Sequence, residues 1–214
     1  MLKDIKAAIF DLDGTLVDSM WVWEKIDIEY LKNKNIELPS DLRDCISHLS
    51  FDESARYFKD RFNISESVDV IKSEWNDMAV NEYAHRVKLK PGVKNFLSKL
   101  KNNNIKIGLA TSNSPQLLEL ALKNNGIYEY FDSITTTNEV TVGKDKPDVY
   151  LLSAKKMGVS PSNCLVFEDI LPAVKGATLA GMRVIGIKDD ASSHQWAEIS
   201  KITYNLINDF TEIA

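Results

Sequence analysis

From residue 91 onward, helical stretches and short apolar runs alternate without interruption, and this alternation constrains the fold more than any other feature of the chain. "PGVKNFLSKLKNNN" opens at Pro91-Gly92 and sets Val93, Phe96, Leu97 and Leu100 on one helical face. "IKIGLAT" (105–111) follows as a buried strand, then "SPQLLELALKNNG" as a helix stopped at Gly126. "DSITTT" (132–137), "CLVFED" (164–169) and "RVIGIK" (183–188) read as further strands. Between them, "PDVYLLSAKKMG", starting near Pro147, and "PAVKGATLAG" read as helices. A polar helical stretch around Trp196 and a last strand, "ITYNLI", complete the series. With "IKAAIF" (5–10) as the first strand, right-handed crossovers follow, and the predicted fold is α/β: a Rossmann-like parallel sheet with helices on both faces. Such sheets bind ligands outside the carboxyl ends of their strands, so the strand ends are the positions to read.

Residues 20–87 break the rhythm. "MWVWEKIDIEYLKNK", "DESARYFKDRF" and "ESVDVIKSEWNDMAVNEYAHRV" carry helical periodicity, with Ile71, Trp75, Met78 or Ala79, and Tyr83 along one face. The expected organisation is a core of residues 1–17 and 88–214 with a small α-helical domain, 18–87, inserted after the first strand. Its joints fall near 17–20 and 86–91. A net charge of −5 and the lack of any Lys/Arg block argue against a nucleic-acid partner. No apolar run approaches the ~18 residues of a membrane span. The short run before Asp11 does not resemble a signal peptide. The two cysteines, Cys45 and Cys164, fall in no zinc or disulfide spacing, so inert packing residues and a reducing cytoplasm are expected. A monomer is expected as well.

The strand ends carry an unusual set of side chains. The first strand runs into Asp11-Leu12-Asp13, the second into Thr111-Ser112-Asn113, and the run at 164–169 into Glu168-Asp169. "VGKDKPD" places Lys144 and Lys146 just ahead of a helix. If these strands are neighbours, carboxylates, a hydroxyl and an ammonium converge on one pocket. Crowded carboxylates raise one another's pKa unless a cation compensates them. Oxygen-only ligands suit Mg²⁺, which keeps positions for water and phosphate. A carboxylate beside a phosphate can attack phosphorus to form an aspartyl-phosphate, while hydroxyl and ammonium groups cradle the other oxygens.

In this order, "DLDGTLVDS", "LATSN", "GKDKPD" and "VFED" resemble the four motifs of the haloacid dehalogenase superfamily. The helical insertion is similar to the cap of its phosphoglucomutase and phosphoglycolate-phosphatase-like branch. The resemblance spans essentially the whole chain and is strongest over residues 5–20 and 105–188. It implies that Asp11 is the nucleophile and Asp13 the acid, then base, that serves the leaving oxygen and the attacking water. It implies that the Thr111 hydroxyl binds phosphate with the backbone N–H groups of Ser112 and Asn113, and that Lys144 neutralises the nucleophile. Mg²⁺ would be held by Asp11, the Asp13 carbonyl, Glu168 and Asp169. Ser19 and Trp23 would face the substrate.

Taken singly, each residue has an ordinary reading. Asp11 to Gly14 fits a strand running into a turn, Thr111 a helix cap, and Glu168-Asp169 a charge pair at a helix N-terminus. Lys144 and Lys146 fit solvated loop lysines, and the Lys-Asp-Lys-Pro spelling leaves open which of them enters the site. The order and spacing of the four motifs favour the chemical reading. Asp18 and Ser19 are expected to cap the first inserted helix, and Trp21 and Trp23 fit either a wall over the substrate or helical core. His48, His85 and His194 have no partner at a telling spacing.

Departures from the family narrow the implied reaction. Mutases of this branch carry a histidine where Trp23 stands and an arginine where Phe51 stands, cationic groups that would hold a second phosphate. Their absence favours hydrolysis of a small phosphomonoester, a sugar phosphate or related metabolite. A sugar phosphomutase is the alternative, and a non-catalytic phosphate-binding protein a further one. Ile170 and Val174 replace a usual Ser and Gly without removing a needed charge. Asp13 and Asp169 separate the chain from the dehalogenase branch and point to phosphoryl transfer.

Overall fold

The first apolar run is the hub of the sheet. In the computed structural model, which describes residues 2–46 and 49–214, β1 (Ala7–Phe10) lies between β4 (Lys106–Thr111) and β6 (Cys164–Glu168) and is parallel to both. Outward from β4 lies β5 (Ser133–Thr136); outward from β6 lie β7 (Arg183–Ile187) and β8 (Asn205–Ile207). The six-stranded order is β5-β4-β1-β6-β7-β8, all parallel, as the alternation predicts. Chain direction across the sheet reverses at β1, so the crevice for a ligand opens at the carboxyl end of that strand. Phe10 is level with both Leu109 and Phe167, which puts Asp11 one step beyond the ladder.

Period-two alternation sorts β1 between two cores. Ala8 and Phe10 join Leu109 and Phe167 on one face, while Ala7 and Ile9 join Ala110, Cys164 and Val166 on the other. Phe10 stacks on Phe167 at 4.7 Å between ring centroids, and both contact Phe96 and Phe210. Phe96 comes from α5 (Val93–Asn102), whose buried residues Val93, Phe96, Leu97 and Leu100 are those the periodicity selects. The other crossover helices are α6 (Pro115–Asn124), α7 (Asp148–Met157) and α8 (Leu171–Leu179), with α9 (Trp196–Ile202) preceding β8. Pro115 begins α6 behind a Ser114 side chain that accepts from the Leu117 N–H.

Among the described residues, four helices lie between β1 and α5 in sequence: α1 (Met20–Asn33), α2 (Leu42–Ile46), α3 (Phe51–Phe62) and α4 (Val68–His85). A capping box of Ser50 and Glu53 starts α3, and the Ser67 hydroxyl starts α4. On α4, Ile71, Trp75, Ala79 and Tyr83 are buried; Met78 is half-buried. Two very short strands, β2 (Val17–Asp18) and β3 (Lys88–Leu89), pair antiparallel where the chain enters and leaves this segment. They are too short for any periodicity to show. Helix α4 packs along α6, with the Ser114 hydroxyl donating to Asn76 Oδ1 at 2.7 Å. Among the described residues, no helix is long and apolar enough to cross a membrane.

Candidate active site

Three strand ends and one loop bring the charged set together. Asp11, just past β1, is 7% exposed, and its Oδ1 lies 2.7 Å from Lys144 Nζ. Lys144 also pairs with Glu168 at the end of β6, and its ammonium lies 5.9 Å from the Tyr150 ring centre. Tyr150 donates its hydroxyl to Glu168 Oε1 at 2.8 Å. The other Glu168 oxygen is buried without a partner among the described residues. Asp169 is buried beside it and accepts from Thr15 Oγ1 at 3.2 Å. Lys146, in contrast, is at the surface with Asp145, so the lysine that enters the site is Lys144.

Two glycines make this convergence possible. Gly14 has φ +77°, and a Cβ there would sit 2.3 Å from Asp169 Oδ2. Gly176 on α8 lets the loop through: a Cβ would stand 2.0 Å from the Lys144 carbonyl oxygen. Close backbone approach at these points therefore sets both Asp169 and Lys144.

Burial dominates the electrostatics. It pushes the Asp11 carboxyl up against the pull of Lys144, with Asp13 adding to the rise. Glu168 is pushed up to about 8 by burial, opposed by Lys144 and reinforced by Asp11. Asp169 is held well above the usual carboxylate range by burial and by Asp11 and Glu168. Burial alone would lower Lys144, but Asp11 and Glu168 outweigh it and hold the ammonium above the ordinary lysine value. Oxygen atoms of Asp11, Glu168 and Asp169 lie within 4.8 Å of one another. One cation leaves three buried carboxylates under-compensated, and the Glu168 oxygen without a partner among the described residues would be available to a second. An all-oxygen set of this kind fits a hard divalent ion.

Asp13 stands apart from that cluster. Its Oδ1 accepts from Ser19 Oγ at 2.6 Å and from the Tyr83 hydroxyl; its Oδ2 accepts from Asn113 Nδ2 at 2.8 Å. Ser19 is thus at the N-cap position of α1 without capping it: its hydroxyl is drawn to the carboxylate instead, and Asp18 is exposed on β2. The Asn113 N–H donates to Thr111 Oγ1 at 3.0 Å and so is already engaged, unlike the free backbone donor the resemblance implies. The Ser112 hydroxyl is buried, lines the cavity and has no partner among the described residues. Trp23 also lines the cavity, while Trp21 lies at the surface with its indole N–H on the Asp18 carbonyl.

Between the carboxylates and the helices lies a cavity of about 160 Å³. Its helical wall is largely apolar, with Trp23, Phe51, Phe58 and Trp75, and carries two charged side chains, Asp27 and Arg43. Burial pushes Asp27 up to about 7, against the pull of Arg43. Arg43 supplies a cationic wall residue that the readings of Trp23 and Phe51 did not anticipate. It sits on a five-residue helix with no periodicity to mark it. Tyr83 was legible only as part of an apolar stripe. His194 has a partner after all, Asp44 at 2.9 Å; His85 is exposed, and His48 lies outside the described residues. Cys164 is buried as expected, whereas Cys45 is only half-buried.

Comparison with known proteins agrees with this geometry. Beta-phosphoglucomutase of Bacillus subtilis is 31% identical over 198 residues, covering 86% of this chain and 83% of that protein. Hexitol phosphatase B of Escherichia coli K12 is 26% identical over 199 residues, with the same shares of each chain, 86% and 83%. The crystal structure of CbbY from Rhodobacter sphaeroides in complex with phosphate superposes with a TM-score of 0.86 over 98% of this chain and 96% of that one, at 22% identity. Residues 5–181 match the haloacid dehalogenase-like hydrolase family, and the chain belongs to that family of enzymes.

Proposed function

We propose that the protein is a Mg²⁺-dependent phosphatase that hydrolyses a small phosphomonoester, a sugar phosphate or related metabolite, through a phosphorylated Asp11. The observation that carries this reading is the division of labour between two neighbouring aspartates. Asp11 is buried against Lys144 with Glu168 and Asp169, whereas Asp13 is held on its own hydrogen bonds. In the first half-reaction an Asp11 oxygen bonds to phosphorus as the phosphorus–alkoxide bond breaks, and Asp13 gives its proton to the departing oxygen. In the second, Asp13 takes a proton from water while the water oxygen attacks phosphorus and the Asp11–phosphorus bond breaks. Inorganic phosphate and the free carboxylate of Asp11 result.

Lys144, held cationic, offsets charge on Asp11 and on the phosphoryl oxygens. Thr111 and Ser112 present hydroxyls on the side of β4. Asp11, Glu168 and Asp169, with the Asp13 carbonyl, would hold Mg²⁺, which when bound supplies Lewis-acid stabilisation of the transferring group. Helices α1–α4 act as a cap whose Trp23 faces the substrate and whose cover excludes bulk water, while Ser19, fully buried on Asp13, stands behind the cavity wall. The cavity, about 160 Å³, is below the roughly 300–1,000 Å³ of sites for drug-sized ligands, consistent with a small metabolite.

Arg43 supports a second reading, a sugar phosphomutase, because a cation on the cap wall could hold the non-reacting phosphate. Product analysis separates the two. Phosphate release from a phosphomonoester panel, with and without Mg²⁺, is expected for the wild type and absent for Asp11→Asn. Conversion of a hexose 1-phosphate to the 6-phosphate without free phosphate would establish the mutase. Equal metal-dependent activity in wild type and Asp11→Asn would refute the nucleophile assignment.

A further inference from the structure

Tyr83 belongs to the buried stripe of α4, yet its hydroxyl reaches residues at two strand ends of the sheet. A phenol has one proton to donate and two positions at which to accept. Both accepting positions are taken: Trp23 Nε1 donates to the oxygen at 2.8 Å and Asn113 Nδ2 at 3.0 Å. Its own proton is therefore committed to Asp13 Oδ1. The Asn113 amide closes the ring, since its other N–H donates to Asp13 Oδ2 and its oxygen accepts from the Ser114 N–H at 2.7 Å. Every orientation in this network is determined, and no group in it is free to turn without leaving another buried and unsatisfied.

Two of the three donors on Asp13, Ser19 and Tyr83, belong to the helical segment; only Asn113 belongs to the sheet. We propose that Tyr83 is the positioning residue of Asp13, fixing the orientation of its carboxyl group only when α4 is seated over the strand ends. The inference rests on the reading of Asp13 as acid and base. It adds that proton transfer is tied to cap closure by one phenolic hydroxyl. The Tyr83 hydroxyl bonds Trp23, Asp13 and Asn113 and lies outside the cluster of Asp11, Glu168 and Asp169, so its removal acts on proton transfer and leaves the nucleophile and the metal ligands in place.

The test exploits leaving groups of different basicity in the Mg²⁺-loaded enzyme. An alkyl phosphate expels an alkoxide that needs a proton, whereas 4-nitrophenyl phosphate expels a phenoxide that does not. Values of kcat/KM report the step in which that group departs. Tyr83→Phe keeps the ring and its packing. It is expected to lower kcat/KM on the alkyl phosphate by about tenfold or more, a part of the roughly 10²–10⁴-fold that acid–base catalysis supplies, and on 4-nitrophenyl phosphate by less than about threefold. Trp23→Phe removes a donor to the Tyr83 oxygen, and Trp23 also lines the cavity. It is expected to show the same selectivity to a smaller degree, on top of a loss common to both substrates, and serves if Tyr83→Phe does not fold. Asp13→Asn is measured alongside. A selective loss in Asp13→Asn with an equal loss on both substrates in the tyrosine and tryptophan variants overturns the role of Tyr83. An unselective loss in Asp13→Asn overturns the reading of Asp13 itself, and this inference with it.

Discussion

Replacing Lys144 by methionine, which keeps the length of the side chain and removes its charge, tests the electrostatic logic of the site. Lys144 is buried, 2.7 Å from Asp11 Oδ1 and paired also with Glu168. At an effective dielectric of about 20, the Asp11 contact alone is worth roughly 6 kcal/mol of Coulomb attraction, much of it offset by desolvation of the two charges. Removing one partner strands the other, and for buried pairs that costs about 3–5 kcal/mol. For a chain of this size each kcal/mol moves the melting temperature by about 2–4 °C, so metal-free Lys144→Met should melt roughly 6–20 °C below the wild type. Urea denaturation in EDTA measures the loss directly. Two further signs belong to the same argument. Glu168→Gln added to Lys144→Met should restore part of the stability, because it removes one of the stranded carboxylates. The loss should also be smaller at pH 5 than at pH 8, because protons replace the missing cation on Asp11 and Glu168. A metal-free Lys144→Met protein within about 1 kcal/mol of wild type at pH 8 would show that Lys144 is not the counter-ion of these carboxylates, since losing it should cost more than that.

Metal-free wild type should itself lose stability as pH rises from about 4.5 to about 8, the window set by Glu168. Its folded-state value is raised, so the folded protein holds a proton there that the unfolded chain has released, and added Mg²⁺ should flatten the decline; urea titrations across pH with and without the ion check this. Gly14→Ala places a Cβ against Asp169 at a positive φ, so it should cost about 1–3 kcal/mol from the backbone strain and weaken Mg²⁺ binding measured by calorimetry. Phe96→Ala removes a fully buried ring from the cluster of Phe10, Phe167 and Phe210 and should cost about 3–5 kcal/mol in chemical denaturation.

What could be read from the chain follows the physics of each element. Asp11, Thr111, Glu168 and Asp169 were legible because each stands where an apolar strand stops, and parallel topology alone brings such ends together. Lys144 was legible by position but not distinguishable from Lys146; the folded loop decides, burying Lys144 against Asp11 and leaving Lys146 at the surface beside Asp145. Tyr83 was hidden because its ring does what its periodicity says, and only the last atom of the side chain reaches a residue 70 positions away. Ser19 looked like a cap because serine before a helix usually is one, but its side chain is turned to donate to the Asp13 carboxylate and accepts from no N–H of the helix. Arg43, on a five-residue helix, carried no signal in its spacing, and its place on the cavity wall depends on how the helices pack.

The paired strands β2 and β3 hold the two ends of the helical segment side by side, Val17 opposite Leu89 and Asp18 opposite Lys88. From the sheet's viewpoint everything between them is a closed loop, and the entropy of closing a loop rises only logarithmically with its length. Helices could be lengthened or shortened there at small cost in closure entropy, provided the packing of α4 on α6 is kept. One further condition limits their exchange. Any replacement must bring its own hydroxyl donors to Asp13, because Ser19 and Tyr83 leave with the segment they belong to.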